Sequence, residues 1–297
     1  MRWMKNIALS IIAFLFVLSA TAQDSAYIKS IEDWHAYRIK VLKQPNGWLN
    51  LEGLFWLHKG KNVFGKAATA DCHYTNADFP NELGSFNYEG DSVTWTSATN
   101  TVDINQQKTS LGKTYKVFGN NITAAKMDWA HYTWVVIQRE DKVGIRFRNL
   151  NAATLLNFKG IERFPIDIGW KIKAKLVQPA QDFLMITNVL GQTTANKNAG
   201  TLVFEKDGQS YSLDVIDEGG ANLFIVFADQ TSGQSTYGAG RFIDIPKPDS
   251  VGNTVIDFNN AYNPPCAFTA FATCPLPPKQ NRLNLKIEAG EKNYGHH

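Results

Sequence analysis

Most of this sequence alternates apolar and polar residues, and Gly, Asn and Asp interrupt the alternation at short intervals. Residues 171–177, KIKAKLV, place lysines between Ile172, Ala174 and Leu176. Such alternation is typical of an antiparallel strand with one face in the core and the other in water. Because strands of this kind recur at regular spacing, the sequence predicts an all-β, mainly antiparallel sandwich or barrel rather than βαβ units.

Several strands can be placed from this pattern. Residues 131–149 predict two strands joined by a turn at 140–142, and residues 201–229 predict three strands joined by turns at 207–208 and 219–220. Further strands are predicted at 253–259, NTVIDFN, and at 284–290, NLKIEAG. The polar stretch 192–200, QTTANKNAG, predicts a loop.

One helix precedes the strands, at about residues 30–43. Its apolar residues recur near one face at helical spacing, Ser30 and Asp33 offer a capping arrangement, and the segment Gln-Pro-Asn-Gly at 44–47 ends it. The apolar positions are Ile31, Trp34, Ile39 and Leu42.

The first 22 residues have the features of a secretory signal peptide. Arg2 and Lys5 precede an apolar run from Ile7 to Leu18, and the small residues Ala-Thr-Ala follow at 20–22. The apolar run is too short to span a membrane. The sequence therefore predicts cleavage after residue 22 and a periplasmic or secreted protein with no membrane span after cleavage.

Charge and length narrow the possible partners of the mature chain. Of 30 basic and 27 acidic residues, the leader holds two basic ones and no acidic one, so the mature chain is nearly neutral. The sequence contains no basic patch dense enough to indicate binding to nucleic acid. Residues 23–297 are long enough for a single β-rich domain, and no segment rich in Pro or Ser forces a division into two. The oligomeric state does not follow from the sequence.

The stretch 262–283, YNPPCAFTAFATCPLPPKQNRL, belongs to a segment that resembles a family of exported bacterial proteins known as domain of unknown function 1684. The resemblance implies kinship and a shared site, and it implies no reaction. Asn260 departs from it, since a basic residue is expected there. The matching residues are Gly240-Arg241-Phe242, Asp257-Phe258-Asn259, Ala261–Ala267, Cys274–Pro278, Asn281-Arg282-Leu283 and Ala289–Lys292, together with Gly47–Gly65 and Arg163–Ala174.

Cys266 and Cys274 lie eight residues apart, and in an oxidising compartment such a pair favours a disulfide. Two buried thiols, or a reactive or metal-bound cysteine, remain as alternatives. No histidine lies between His131 and His296, and cysteine pairs at metal spacing are absent from the sequence, so neither a metal nor another cofactor is predicted. The remaining cysteine, Cys72, is expected to be buried.

Polar residues cluster between residues 241 and 282, among apolar positions. Along 255–259, the side chains of Asp257 and Asn259 fall on one face of a strand, where a carboxylate and an amide can bind a hydroxylated ligand or position a water. An ion pair with Asn-capped turns is the alternative interpretation. The candidate ligand-binding residues are Arg241, Asn259, Asn263, Asn281 and Arg282, and the candidate acid and base are Asp244 and Asp257.

Two further groups have both a functional and a structural interpretation. Trp48, Phe55 and Trp56 form an aromatic set that suits sugar stacking, although packing in the core is favoured. Arg146 and Arg148 share one strand face and could meet an anion, although a solvated face is favoured.

These patterns predict an exported protein whose C-terminal motif forms a pocket for a small polar ligand, such as a glycan or cell-wall fragment. The first alternative is a hydrolase that uses the two aspartates in the same pocket, and the second is a structural protein of the envelope. The sequence does not decide whether the protein is an enzyme.

Overall fold

The structure is a computed structural model that describes residues 25–295. The predicted leader, residues 1–22, lies outside these residues, and its cleavage stays a prediction. The chain forms two compact units. The first contains the described residues up to Val41 together with Gly160–Ala267 and the described residues from Thr273 onward, and the second contains Leu42–Lys159 and Phe268–Ala272. The single domain over 23–297 stays a prediction.

The N-terminal helix α1 covers residues 25–42 and confirms the helix predicted from the apolar spacing. Ile31 and Leu42 are buried, as that spacing requires. The predicted cap at Ser30 is wrong, because the Ser30 hydroxyl donates to the carbonyl of Tyr27 one turn earlier, inside the helix. Asp33 instead pairs with Lys29 at 2.9 Å.

The second unit is a sandwich of two mainly antiparallel sheets. One sheet has the order β1-β11-β10-β9-β6-β7 and the other the order β3-β2-β4-β5-β8. The strands are β1 (Leu51–Trp56), β2 (Gly60–Gly65), β3 (Cys72–His73), β4 (Gly84–Glu89), β5 (Ser92–Ser97), β6 (Asp103–Ile104), β7 (Gln107–Lys108), β8 (Thr114–Phe118), β9 (Lys126–Trp129), β10 (Tyr132–Arg139) and β11 (Lys142–Asn149), and the short helix α2 (Ala153–Leu156) follows.

Aromatic side chains fill the space between these two sheets. Phe64 of β2 lies 5.6 Å from Trp134 of β10 and 5.4 Å from Phe147 of β11, measured between ring centroids. All three side chains are fully buried. Edge-to-face contacts at these distances add to the burial of large apolar surfaces, so this cluster is the core of the second unit.

The first unit contains a seven-stranded antiparallel sheet that nearly closes into a barrel. Its strands are β12 (Lys171–Val177), β13 (Phe183–Thr187), β14 (Thr193–Lys206), β15 (Gln209–Ile216), β16 (Asn222–Phe227), β17 (Arg241–Pro246) and β18 (Asn253–Asp257). The order is β17-β16-β15-β14-β12-β18, with β13 paired to β14. The two ends of the sheet approach each other, since the Thr254 hydroxyl donates to the Pro246 carbonyl at 2.8 Å. The sandwich and the near-barrel confirm the predicted fold class.

Two predicted elements of the first unit are wrong. The predicted loop at 192–200 is the beginning of β14, whose first residues pair with β13 and whose later residues pair with β12. A bulge between Asn198 and Gly200 separates these two parts. Gly200 has a φ of 141°, and a side chain there would collide with the Val177 carbonyl oxygen.

The predicted strand at 284–290 is irregular chain. The buried Arg241 guanidinium donates to the carbonyl oxygens of Ile287, Ala289 and Glu291, so a side chain supplies the hydrogen bonds that a neighbouring strand would otherwise give. Arg241 is 1% exposed, and its charge is balanced by Asp229 at 2.6 Å.

Cys266 and Cys274 are joined by a disulfide bond. In the chain-entropy picture, closing so short a loop stabilises the fold by about 2–3 kcal/mol. Cys72 is a free, fully buried cysteine of β3, and burial raises the pKa of its thiol to about 12. Among residues 25–295, no helix is long and apolar enough to cross a membrane.

These cysteine states predict the number of thiols that a maleimide labels. The native protein is expected to take up no label, because Cys72 is buried and the other two cysteines are oxidised. Denaturation without reductant should expose one thiol, and denaturation with reductant should expose three, as counted by intact mass. Three labels without reductant would contradict the disulfide.

The Arg241 ion pair predicts a large loss of stability on truncation. Arg241→Ala leaves the buried Asp229 carboxylate without its partner, and we expect the free energy of unfolding to fall by about 3–5 kcal/mol. Denaturant unfolding measures the change. Arg282→Ala, at an exposed arginine, is the matched control and should change stability by no more than about 0.5 kcal/mol. Equal effects of the two substitutions would contradict a structural role for the ion pair.

Candidate ligand-binding site

Asp257 and Asn259 lie where β18 ends. The Asp257 carboxylate accepts a hydrogen bond from the backbone N–H of Asn259 at 3.1 Å, which caps the 3-10 turn Phe258–Asn260. It also accepts one from the Asn259 side-chain amide at 3.0 Å. The local sequence Asp-Phe-Asn therefore fixes both polar side chains in one orientation, because Phe258 between them is fully buried in the core of the first unit.

Tyr27 of α1 completes this cluster. Its hydroxyl donates to both carboxylate oxygens of Asp257, at 3.0 and 2.9 Å, and accepts a hydrogen bond from the Asn259 amide at 2.9 Å. Burial raises the pKa of Tyr27, and the charge of Asp257 and the hydrogen bond to it raise this pKa further. The tyrosine therefore stays protonated and serves as a neutral donor to the carboxylate.

Asp167 borders the same cluster. The Asn259 side-chain amide donates to the Asp167 carbonyl at 2.8 Å, and the Asn259 side-chain oxygen accepts from the Asp167 backbone N–H at 3.1 Å. The Asp167 side chain accepts from the N–H of Gly169 at 2.8 Å and so caps the 3-10 turn Ile168–Trp170. Asn259 thus joins the end of β18, α1 and the segment before β12.

A cavity of about 270 Å³ opens beside Tyr27. An adjoining depression of about 540 Å³ shares Ile28 and Ile166 with it, so the two form a groove along α1. The cavity is lined by Tyr27, Ile28, Ile166, Asp167 and Ile168, and the depression by Ile28, Glu32, Arg163, Phe164, Pro165, Ile166 and Lys292. We call these two spaces together the α1 groove. Its cavity is close to the lower end of the range for small-molecule sites, roughly 300–1,000 Å³.

A larger open depression of about 670 Å³ lies over β12 and β14. The exposed side chains of Lys171, Lys173 and Lys175 line it, as expected from their alternation along β12. Lys171 also lies near the Tyr27 ring, with its Nζ 4.8 Å from the ring centroid. The depression is a solvated strand face, whereas Tyr27 and Asp167 of the polar cluster line the α1 groove.

The side chains of three predicted ligand-binding residues form hydrogen bonds to other parts of the fold. Arg241 binds Asp229 and the C-terminal segment, as described above. The Asn263 side chain is fully buried and donates to the Lys292 carbonyl at 2.7 Å. The Asn281 side chain accepts from the N–H of Asp214 at 2.7 Å and donates to the Asp214 carbonyl at 2.9 Å. Asn281 therefore continues the hydrogen bonding of β15 much as a neighbouring strand would.

The two candidate catalytic aspartates have different partners. Asp244 is an exposed residue whose carboxyl group accepts from the Tyr262 hydroxyl at 2.9 Å, and partial burial of that group raises its pKa. Asp257 accepts from Tyr27 instead. Within the described chain, no hydrogen bond links the two carboxylates and no partner joins them. Arg282 is exposed.

The structure thus brings together Asp257 and Asn259 from the sequence-predicted set, and it adds Tyr27 and Asp167. Asp167 lies in a segment that resembles the family, which is the signal that could have singled it out. No sequence pattern pointed to Tyr27, because its partner Asp257 is 230 residues away in the sequence. In residues 25–295, no three His, Cys, Asp or Glu side chains form a group that could hold a metal ion.

Comparison with known proteins places most of the first unit in a family. Residues 156–292 match the model of the family described as "Protein of unknown function (DUF1684)". A solution NMR structure of an uncharacterized protein from Haloarcula marismortui is 32% identical, with 46% of this chain and 77% of that chain covered and a TM-score of 0.38. No curated protein matches the chain at a significant level. Asp167, Asp257 and Asn259 lie within residues 156–292, and this part of the chain is a DUF1684 family domain.

Proposed function

We propose that the α1 groove binds a small hydroxylated ligand, such as a glycan or a cell-wall fragment, in a periplasmic or secreted protein. The observation that carries the proposal is the Tyr27 hydroxyl held between Asp257 and Asn259 at the wall of the cavity. A long-range contact of this kind fixes the position of polar groups before a ligand arrives, which lowers the entropic cost of binding.

The free acceptors of the cluster favour a ligand that donates hydrogen bonds. Asp257 Oδ2 accepts from Tyr27 alone, and the Asp167 carboxylate accepts from Gly169 alone among the residues described. A carboxylate oxygen can accept more than one hydrogen bond, so both groups retain capacity. Sugar hydroxyl groups are donors of the required kind, whereas an anion would be repelled by Asp167, which lines the cavity, and by Asp257, which binds the Tyr27 hydroxyl.

The apolar part of the cavity suits the same class of ligand. Ile28, Ile166 and Ile168 line its walls between the polar groups. A sugar ring presents C–H groups on its faces and hydroxyl groups at its edge, so apolar walls with a few fixed polar groups match it. At the other end of the α1 groove, Lys292 can meet a substituent that carries negative charge, as can Arg163, whose guanidinium also lies 3.9 Å from the Glu32 carboxylate.

A hydrolase that uses Asp244 and Asp257 is the second candidate. The raised pKa of Asp244 favours it, because a carboxyl group that keeps its proton can act as a general acid. The separate tyrosine partners of the two aspartates count against a shared reaction centre. A structural role in the envelope is the third candidate and is supported by the engagement of Arg241, Asn263 and Asn281 within the fold.

The ligand-binding proposal predicts a selective effect of Asp167→Asn. The amide still caps Gly169 but removes the charge that a ligand hydroxyl would meet, so we expect affinity to fall about tenfold, within the range of hydrogen bonds to charged groups. Titration calorimetry with N-acetylglucosamine and with a soluble muropeptide measures this change. Asp249→Asn is the matched control, since Asp249 caps another turn, through Val251 and Asn253, and should leave affinity unchanged.

Asp257→Asn separates the candidate functions. Under the binding proposal it weakens the sugar modestly, because Tyr27 can still donate to the amide oxygen. Under the hydrolase alternative it abolishes turnover and leaves affinity nearly intact. At a sugar concentration of about 10 mM, even a ligand with a binding free energy of only a few kcal/mol forms a complex. If neither sugar binds the unmodified protein at that concentration, the glycan proposal is wrong.

A further inference from the structure

We propose that the second unit has its own binding site for a small oxyanion, a carboxylate or a phosphate group, at Arg146 and Arg148 of β11. The sequence favours a solvated face for these two arginines. In the structure, Arg148 is only 8% exposed and Arg146 is half-buried. Two like charges are therefore buried on one strand, which is unfavourable unless another group compensates them.

Both arginines lie on the face of β11 that points away from the aromatic core. Ile145 and Phe147, which alternate with them, are fully buried in that core. Arg146 pairs with Leu54 of β1 and Val135 of β10 in the strand register. The two guanidinium groups therefore start from positions about 7 Å apart on a rigid central strand.

The turn before β1 orients both guanidinium groups. Arg148 donates to the carbonyl oxygens of Gly47 and Asn46, at 3.4 and 3.2 Å. The Arg146 guanidinium lies over the Trp48 ring, with 5.2 Å between its Cζ and the ring centroid. An aromatic face fixes the plane of a guanidinium and leaves its N–H edge free to bind another group.

No acidic side chain balances these charges. Within residues 25–295, neither Arg146 nor Arg148 forms an ion pair, and the Nε of Arg146 is buried with no hydrogen-bond partner. Asp128 of β9 and Arg148 of β11 are both register partners of Thr133, so strand β10 separates them. The Asp128 carboxylate binds the Lys126 ammonium group at 2.6 Å.

The pKa values show the cost of this arrangement. Burial, together with the charges of Arg139 and Arg148, lowers the pKa of Arg146 to about 10. Burial also lowers the pKa of Arg148. Like charges that are buried side by side destabilise a fold unless they are compensated. An oxyanion would supply that compensation, and guanidinium groups bind carboxylate and phosphate oxygens through pairs of parallel hydrogen bonds.

The tip of the disulfide loop lies at one end of this face. Leu51 of β1 is the register partner of Arg148, and its carbonyl accepts a hydrogen bond from the Thr269 hydroxyl at 2.8 Å. Phe271, two residues further on, is 37% exposed. Thr269 thus contacts the residue of β1 that pairs with Arg148, and Phe271 is an exposed apolar group of the same short segment.

The proposal predicts anion binding that depends on Arg146. The probes are inorganic phosphate and succinate, titrated into the purified protein at constant ionic strength set by chloride, with affinity read by calorimetry. We expect Arg146→Gln to weaken binding at least tenfold. Arg146→Lys should weaken it several-fold, because an ammonium group keeps the charge but cannot form the parallel pair of hydrogen bonds. The control Lys108→Gln, at an exposed lysine of the edge strand β7 of the same sheet, should change affinity less than twofold.

The stability of the same variants distinguishes a ligand site from a structural one. In chloride alone, Arg146→Gln removes an uncompensated buried charge, so its Tm should equal or exceed that of the unmodified protein. A fall of about 4 °C or more would mean that Arg146 serves the fold, and the proposal would be overturned. Absence of binding by both probes, or equal affinity of Arg146→Gln and the unmodified protein, would also overturn it. Binding of phosphate alone or succinate alone identifies the acid group.

Discussion

The first unit depends on one buried guanidinium. The chain after residue 282 lies against the near-barrel without forming a strand, so the carbonyl oxygens of Ile287, Ala289 and Glu291 lack the partners that a sheet provides. Arg241 supplies donors to three of these carbonyls, and Asp229 neutralises its charge. Glu291, buried at the end of the segment, accepts from Arg38 of α1 and from the backbone of Asn263. Buried polar side chains thereby hold α1 and the C-terminal segment in place, and the α1 groove follows from that arrangement.

The alternation of apolar and polar residues was sufficient to predict most strands and the class of fold. It failed at 284–290, because Leu285, Ile287 and Ala289 alternate in the same way whether the backbone pairs with a strand or, as at Ile287 and Ala289, with a guanidinium. It failed at 192–200 for the opposite reason, since the first residues of β14, which pair with β13, are mostly polar on both faces of the hairpin. Patterns of this kind report which side chains are buried, and they do not report what pairs with the backbone.

The candidate sites were predictable only in part, because their key contacts join distant residues. Asp257 caps the 3-10 turn that contains Asn259, so their contact joins residues two apart in the sequence, while Tyr27 enters through the fold alone. Arg146 and Arg148 were visible as a pair, but their burial was not. The two units then differ in the chemistry they present, since the cluster at Asp257 is rich in acceptors and the face at Arg146 is rich in donors.

The order of the two units along the chain bears on synthesis. The first unit uses both ends of the described chain, whereas the second is almost wholly the continuous stretch Leu42–Lys159. Tyr27 and Asp257 are separated by 230 residues, so at roughly 5–20 residues per second a ribosome needs tens of seconds to make the second partner after the first. The middle of the chain is complete well before its ends can meet. During synthesis, the aromatic sandwich of the second unit is therefore complete while α1 still lacks the sheet that it packs against.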